Sequence, residues 1–280
     1  MIIGVTGATS TIGEATVAAI ERMKHHAVRL VRTPRSPSDR HYDLGQPIHP
    51  ETLTGVDAVI HLAWDWRPAA RESLDPNVEA GRRLVRACVV VGARPVLLST
   101  YSTFSADTSV YGTAKASLEA EFRADGGTAL RAGLIWGNQP SGMVSTVLRI
   151  ARLPLACPHL TPDPTLHHSE IRTLAARLVE ATTTVDSETV LAASAEAVRL
   201  SEIVHSARRR GTSVHVTIPT RALLAAARSG ERLGVPLPFR SDSLPVADDT
   251  NERAVMSSTL CRLDGFPGRE AFLGWIASIP

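Results

Sequence analysis

Tyr111 and Lys115 stand four residues apart in the segment YGTAKASLEAEFRA. On a helix that spacing puts both side chains on one face. An ammonium held near a phenol stabilises the phenolate and brings the tyrosine pKa toward the range useful for proton transfer. The chain has three tyrosines and only two lysines, Lys24 and Lys115, so a chance Tyr-x-x-x-Lys is expected about 2 times in 100. Upstream, the run VLLST ends in Ser99 and Thr100, and either hydroxyl could orient a carbonyl or an alcohol. The competing reading makes Lys115 one half of a solvent-facing pair with Glu119.

A second constellation opens the chain. GVTGATSTIG, residues 4–13, follows an apolar run and leads into a helical pattern. Gly7 allows a tight turn and Gly13 allows the helix to pack on the strand. The helix N-terminus, with Thr9, Ser10, Thr11 and Ile12 around it, then offers free N–H groups to a pyrophosphate. Ser10 stands where a middle glycine is usual; its hydroxyl is small enough to be tolerated and could itself bind a phosphate oxygen. The next apolar run ends Val31-Arg32, with Arg35 beyond. An acid there would read the ribose diol of NAD, whereas Arg32 can pair with the 2′-phosphate of NADP.

The elements that must position these groups are legible in outline. IIGVTG, HAVRLVR, DAVIHLAW, RPVLLST and TALRAGLIW read as strands; GEATVAAIERM, NVEAGRRLVRACVVVG and YGTAKASLEAEFRA read as amphipathic helices. Their alternation predicts an α/β Rossmann-type doubly wound sheet of parallel strands. LPLACPHLTPDPTLHH reads as a proline-rich loop, HSEIRTLAARLVEA as a helix, ETVLAASA as a strand and LSEIVHSARRR as a helix. The stretch from residue 218 onward reads as a small, mainly helical C-terminal region. We therefore expect a dinucleotide-binding domain over 1–138 and a substrate-binding region over 139–280, with 165–200 returning to the sheet.

Composition narrows the class. The 280 residues carry a formal net charge of +2, which gives no strong pull toward nucleic acid or anionic lipid. Three scattered cysteines argue against a disulfide framework or a zinc site and fit a reducing compartment. No apolar run is long enough to span a bilayer, and the N-terminus lacks a secretory pattern. The expectation is a soluble cytoplasmic protein. The pairs His25-His26 and His167-His168 show no metal spacing. Arg208-Arg209-Arg210 reads as a solvated helix end, and Arg82, Arg83 and Arg86 read as surface or dimer-contact residues.

Together these features resemble the extended short-chain dehydrogenase/reductase superfamily of NAD(P)-dependent epimerases, dehydratases and reductases. GVTGATSTIG is similar to its opening turn, with Ser10 departing. The resemblance implies that Asp43 and Leu44 lie against the adenine and that Leu62, Ala63 and Trp64 of DAVIHLAW line the cofactor. NVEAGRRLVRAC, RPVLLSTYSTF, LRAGLIWGN and LDGFPGREAFLGWI resemble its later segments. Counting back from Phe104 assigns the catalytic hydroxyl to Thr100, with Tyr111 as proton donor and Lys115 holding the ribose. A homodimer on the helices at 77–91 and 111–124 is also implied.

The departures shape the expected activity. Dehydratases of the family carry an acidic pair after the catalytic threonine, where this chain has Tyr101 and Ser102, so dehydration is not expected. Leu134 replaces the asparagine usual in sugar-nucleotide epimerases. The reading is an NADP(H)-dependent oxidoreductase, with NAD as second choice. It would reduce the ketone of a keto-sugar nucleotide or natural-product intermediate, a small carbonyl or alcohol substrate. The alternatives are a sugar-nucleotide epimerase with tightly held NAD and a non-catalytic dinucleotide sensor or scaffold.

Overall fold

The computed structural model describes residues 1–66, 75–108, 110–152, 156–184, 187–208, 214–232 and 265–280. The first half alternates β1 (Ile2–Thr6), α1 (Thr11–Arg22), β2 (His26–Val31), β3 (Arg40–His41), β4 (Ala58–His61), α2 (Asp75–Val91), β5 (Arg94–Thr100), α3 (Val110–Ala124) and β6 (Thr128–Ala132). The second half carries β7 (Leu134–Trp136), α4 (Gly142–Ala151), β8 (Ala156–Thr161), β9 (Thr165–Leu166), β10 (His168–Glu170) and α5 (Ile171–Glu180). It continues through β11 (Thr189–Ala192), β12 (Val198–Arg199), α6 (Leu200–Ala207), β13 (Val214–Pro219), α7 (Thr220–Arg232) and α8 (Arg269–Ser278).

Seven strands form one parallel sheet in the order β11-β6-β5-β4-β1-β2-β3. Alternate residues of each strand feed opposite faces. Ile60 and Val96 join Ile20 of α1 and Leu174 and Leu178 of α5 on one side. On the other, Val59 packs with Leu84 and Cys88 of α2, and Leu97 packs with Leu118 and Phe122 of α3. The expected doubly wound α/β sheet is therefore present. Between β1 and β4 the strand order reverses direction, which opens a crevice at their carboxyl ends. A separate core of Trp136, Leu148, Leu166, Ile203, Phe272 and Ile276 builds the C-terminal part. No helix among the described residues is long and apolar enough to cross a membrane.

Three sequence expectations change. TALRAGLIW is two strands broken at Gly133, where a Cβ would sit 2.3 Å from the His167 carbonyl oxygen; beyond the break β7 pairs with β10. The proline-rich loop contains β8, which pairs in parallel with β13, a strand the sequence reading missed. The helix expected from His168 begins at Ile171, because Glu170 caps it and accepts from the N–H groups of Arg172 (2.9 Å) and Thr173 (2.7 Å). Arg209, Arg210 and residues 233–264 of the expected helical tail lie outside the described residues.

Candidate active site

The turn after β1 shows how Ser10 is accommodated. Gly7 has φ +67, and a Cβ there would stand 2.9 Å from the Ala63 amide nitrogen. Gly13 meets the Gly7 carbonyl so closely that a Cβ would lie 2.2 Å from its oxygen. Ser10 has φ −81, a value open to any L-residue, so glycine is not required. Its Oγ donates to the Gly7 carbonyl (2.8 Å) and accepts from the Gly13 N–H (3.1 Å). The serine is thus the N-cap of α1, and its hydroxyl is spent inside the turn rather than aimed outward as a phosphate ligand. Gly13→Ala forces backbone apart, since no rotamer relieves the contact; it should cost about 2 kcal/mol, read from denaturant unfolding.

β4 is fixed beside this turn by buried polar groups. The Thr6 hydroxyl donates to His61 Nδ1 (2.8 Å) and accepts from the N–H groups of Leu62 (3.1 Å) and Ala63 (3.2 Å). Burial holds the His61 imidazole down to about 3, so the ring is neutral, and because the Thr6 oxygen already accepts two N–H groups, its hydroxyl proton is the one left for Nδ1. The expected lining residues Leu62, Ala63 and Trp64 are set in place by this bond network.

A cleft of about 1630 Å³ runs across the carboxyl ends of the central strands. That exceeds the about 300–1,000 Å³ of an ordinary small-molecule site, leaving room for two ligands side by side. Gly7, Thr9, Ser10, Ile12, Arg32, Asp43, Leu44, Leu62, Ala63, Trp64, Thr100, Tyr111 and Lys115 all line it. Thr11 and Gly13 do not; Gly13 acts through packing. At the β2 end Arg29, Arg32 and Arg35 share the wall. Arg29 escaped the sequence reading, although its guanidinium reaches the Ala8 carbonyl of the turn (3.2 Å); its place inside a strand hid it.

The acids at that end are engaged locally. Asp39 accepts from the N–H groups of Arg35 (2.8 Å) and Ser36 (3.2 Å) and from the Ser36 hydroxyl (2.8 Å). These bonds hold its carboxyl below the usual carboxylate range. Asp43 accepts from the Gly45 N–H (2.8 Å). Arg83, expected as a surface or dimer residue, instead donates to the Leu44 carbonyl (2.8 Å) and so positions that wall. Arg82 bridges α2 to Glu121 of α3 (2.8 Å).

Toward the middle of the cleft, Tyr111 lies in the first turn of α3. Its ring meets Trp64 edge-on at 5.1 Å and Trp66 at 5.1 Å with a 42° tilt. Lys115 sits one turn on, 3% exposed. Its ammonium donates to the Leu98 carbonyl (2.9 Å) and lies 4.3 Å from the centre of the Trp64 ring and 6.0 Å from that of Tyr111. The solvent-facing pair with Glu119 does not exist. Glu119 is buried, accepts from the Ser99 hydroxyl (2.5 Å) and is gripped by the Arg131 guanidinium at 2.6 and 2.9 Å. This settles which hydroxyl is committed inward: Ser99 is bonded to Glu119, while Thr100 Oγ1 accepts from the Ser102 N–H at the strand end (3.2 Å).

Burial pulls the Lys115 ammonium down to about 7, with the charge of Glu119 opposing. Between about pH 7 and the ordinary value of 10.5 the unfolded chain holds this proton more tightly than the folded one. Stability should therefore rise with pH through that window. Lys115→Met should flatten the rise, checked by denaturant midpoints at pH 7 and pH 9.

The residues fit a dinucleotide. Gly7 and Gly13 form a cradle that a Cβ would fill, and the N-terminus of α1 faces it. Trp64 Nε1 and His167 Nε2 are buried on residues of the wall with no partner among the described residues.

No family model matches the sequence, and no curated relative matches it. Solved structures do resemble it. One is a UDP-N-acetylglucosamine 4-epimerase from Bacillus cereus, 19% identical, with 91% of this chain and 99% of that chain covered at a TM-score of 0.60. A second, gox2253, is 17% identical over 99% of this chain and 96% of that chain, at a TM-score of 0.66. A third is MoeE5 in complex with UDP-glucose and NAD, 21% identical over 78% and 89%, at a TM-score of 0.62. Identities this low carry the fold and nothing finer, and that fold is the expected Rossmann-type parallel sheet with helices on both faces.

Proposed function

We propose that this chain is an NADP(H)-dependent oxidoreductase of that superfamily, reducing a ketone to an alcohol. The observation that carries the reading is the placement of Tyr111 and Lys115 on the wall of the same cleft that the glycine turn enters. When bound, NADPH supplies a hydride to the carbonyl carbon and is left as NADP⁺. The carbonyl oxygen takes the phenolic proton of Tyr111, which is replaced from solvent. Lys115, with its ammonium pulled down to about 7 by burial, brings positive charge toward the phenol in its protonated form and offers N–H donors to a ribose. Thr100 holds the carbonyl oxygen by a hydrogen bond.

The 2′-phosphate preference rests on Arg32 with Arg29 and Arg35, and on the engagement of Asp39 within its own loop. A diol reader would need that carboxylate free. Titration calorimetry tests this: NADPH should bind more tightly than NADH. Arg32→Ala should weaken NADPH about 10- to 100-fold, as expected for loss of a charge-assisted bond, and leave NADH unchanged. Equal binding of the two cofactors would remove the NADP reading. A second reading, a sugar-nucleotide epimerase with retained NAD, is supported by the 4-epimerases among the similar solved structures. NAD that co-purifies, with no net consumption of NADPH, would select it.

A further inference from the structure

Lys115 is 3% exposed, and a buried ammonium needs an attractive surface against it to stay charged. The carboxylate one turn on is committed elsewhere, because Glu119 is taken up by the Ser99 hydroxyl and the Arg131 guanidinium. Around the lysine, His61 of β4 is neutral, Arg131 of β6 is held by Glu119, and Arg82 of α2 is held by Glu121. Tyr111 on the same helix has its ring centre 6.0 Å away, and Asp65 lines the cleft just after Trp64. The ammonium itself meets the Leu98 carbonyl (2.9 Å) and the face of Trp64, whose ring centre lies at 4.3 Å. The face of an indole is negative and attracts a cation within about 6 Å of the ring centre.

Trp64 is held in that place from both sides. The Ala63 N–H donates to the Thr6 hydroxyl oxygen (3.2 Å), and the Asp65 N–H donates to Asn77 Oδ1 (2.8 Å). Asn77, itself buried, returns a bond from Nδ2 to the Asp65 carbonyl (3.2 Å). The Trp64 ring also meets Tyr111 edge-on at 5.1 Å. One fixed side chain therefore packs against both members of the tyrosine–lysine pair.

We infer that Trp64 is a positioning residue for proton transfer, its ring keeping the Lys115 ammonium charged and set beside Tyr111. This rests on the reading of the cleft as a carbonyl-reducing site, where a protonated lysine stabilises the phenolate that Tyr111 leaves on giving up its proton. Burial pulls Lys115 down to about 7, with Glu119 opposing, and the ring acts in the same sense as Glu119. A cation–π contact favours the protonated form alone. Its loss lowers the pH at which Lys115 gives up its proton.

The test uses the scarcity of lysine. With only Lys24 and Lys115 in the chain, the full protein labelled with carbon-13 at the lysine ε-position gives two signals, which Lys24→Arg assigns. Both are titrated with pH by NMR in the ligand-free parent, Trp64→Leu and Trp64→Phe. Leucine keeps an apolar filling without a π face, and phenylalanine keeps a weaker face. The Lys115 midpoint is expected to fall by about 0.5–1.5 pH units in Trp64→Leu and by less in Trp64→Phe, with Lys24 unmoved throughout. A Lys115 midpoint that stays in place or rises in Trp64→Leu would overturn the proposal. Should that variant not fold, the parent decides: the Lys115 ε-protons are expected upfield of those of Lys24 through the Trp64 ring current, and coincidence of the two overturns the contact. Saturating NADP⁺ is then added to the parent and is expected to move the Lys115 signal alone. A Lys115 signal indifferent to NADP⁺ and NADPH would overturn the cofactor reading and the part in proton transfer with it, while the midpoints would still decide whether Trp64 holds the charge.

Discussion

Tyr111→Phe is expected to lower turnover by about 10³-fold while leaving affinity for the proposed NADPH within about twofold of the parent. The magnitude is that of a lost general acid, which is worth about 10²–10⁴ in rate. Phenylalanine keeps the ring that packs against Trp64 and Trp66 at 5.1 Å, so the wall of the cleft is preserved and only the phenolic proton is removed. The measurement is the rate of NADPH oxidation with a competent ketone, set beside a cofactor titration of the same variant. A variant that retained more than a tenth of the parent rate would remove Tyr111 from the mechanism. A comparable loss of cofactor affinity would show instead that the tyrosine serves binding.

The second large effect is expected one turn below the lysine. Glu119→Ala should destabilise the fold by about 3 kcal/mol, the lower end for breaking a buried ion pair, because Arg131 keeps some contact with solvent. Glu119 carries three ties at once: the Ser99 hydroxyl, the forked Arg131 guanidinium, and the support its charge gives to the Lys115 proton. Arg131 also lies 4.5 Å over the Phe104 ring, so the pair links α3, β5, β6 and the segment after β5. Glu119→Gln separates the charge from the shape. It keeps an acceptor for Ser99, costs less stability than alanine, and removes the field that raises the Lys115 pKa. If protonated Lys115 is needed for turnover, the rate falls as pH rises through its pKa, and in Glu119→Gln that fall moves to lower pH. An unshifted pH profile would assign Glu119 a purely structural part.

The sheet was legible because strands buried on both faces are written as continuous apolar runs, and IIGVT, AVIH and RPVLLST are such runs. Glycine spacing marked the turn, since a Cβ at Gly7 would crowd the Ala63 backbone and one at Gly13 the Gly7 carbonyl. The pairing of β8 with β13 was not legible: its partners are about 58 residues apart, and neither local propensity nor the prolines of that segment foretell a partner so distant. Gly133 gave no sign that the chain breaks there, because the crowding comes from the backbone of His167. Arg83 was read as a surface group because its partner, the Leu44 carbonyl, is 39 residues away.

By itself the sequence determined the α/β alternation, the cradle at residues 4–13 and the four-residue spacing of Tyr111 and Lys115. These depend on local conformation and on the periodicity of apolar residues, both written along the chain. Tertiary structure alone decided that Glu119 turns away from Lys115 to bind Arg131 and Ser99, and that Arg83 meets the Leu44 carbonyl. It also decided that Arg29, Arg32 and Arg35 share one cleft wall with Tyr111 and Lys115. Such matters depend on which donors and acceptors meet after distant strands are brought side by side, and burial then fixes the partner each polar group must take.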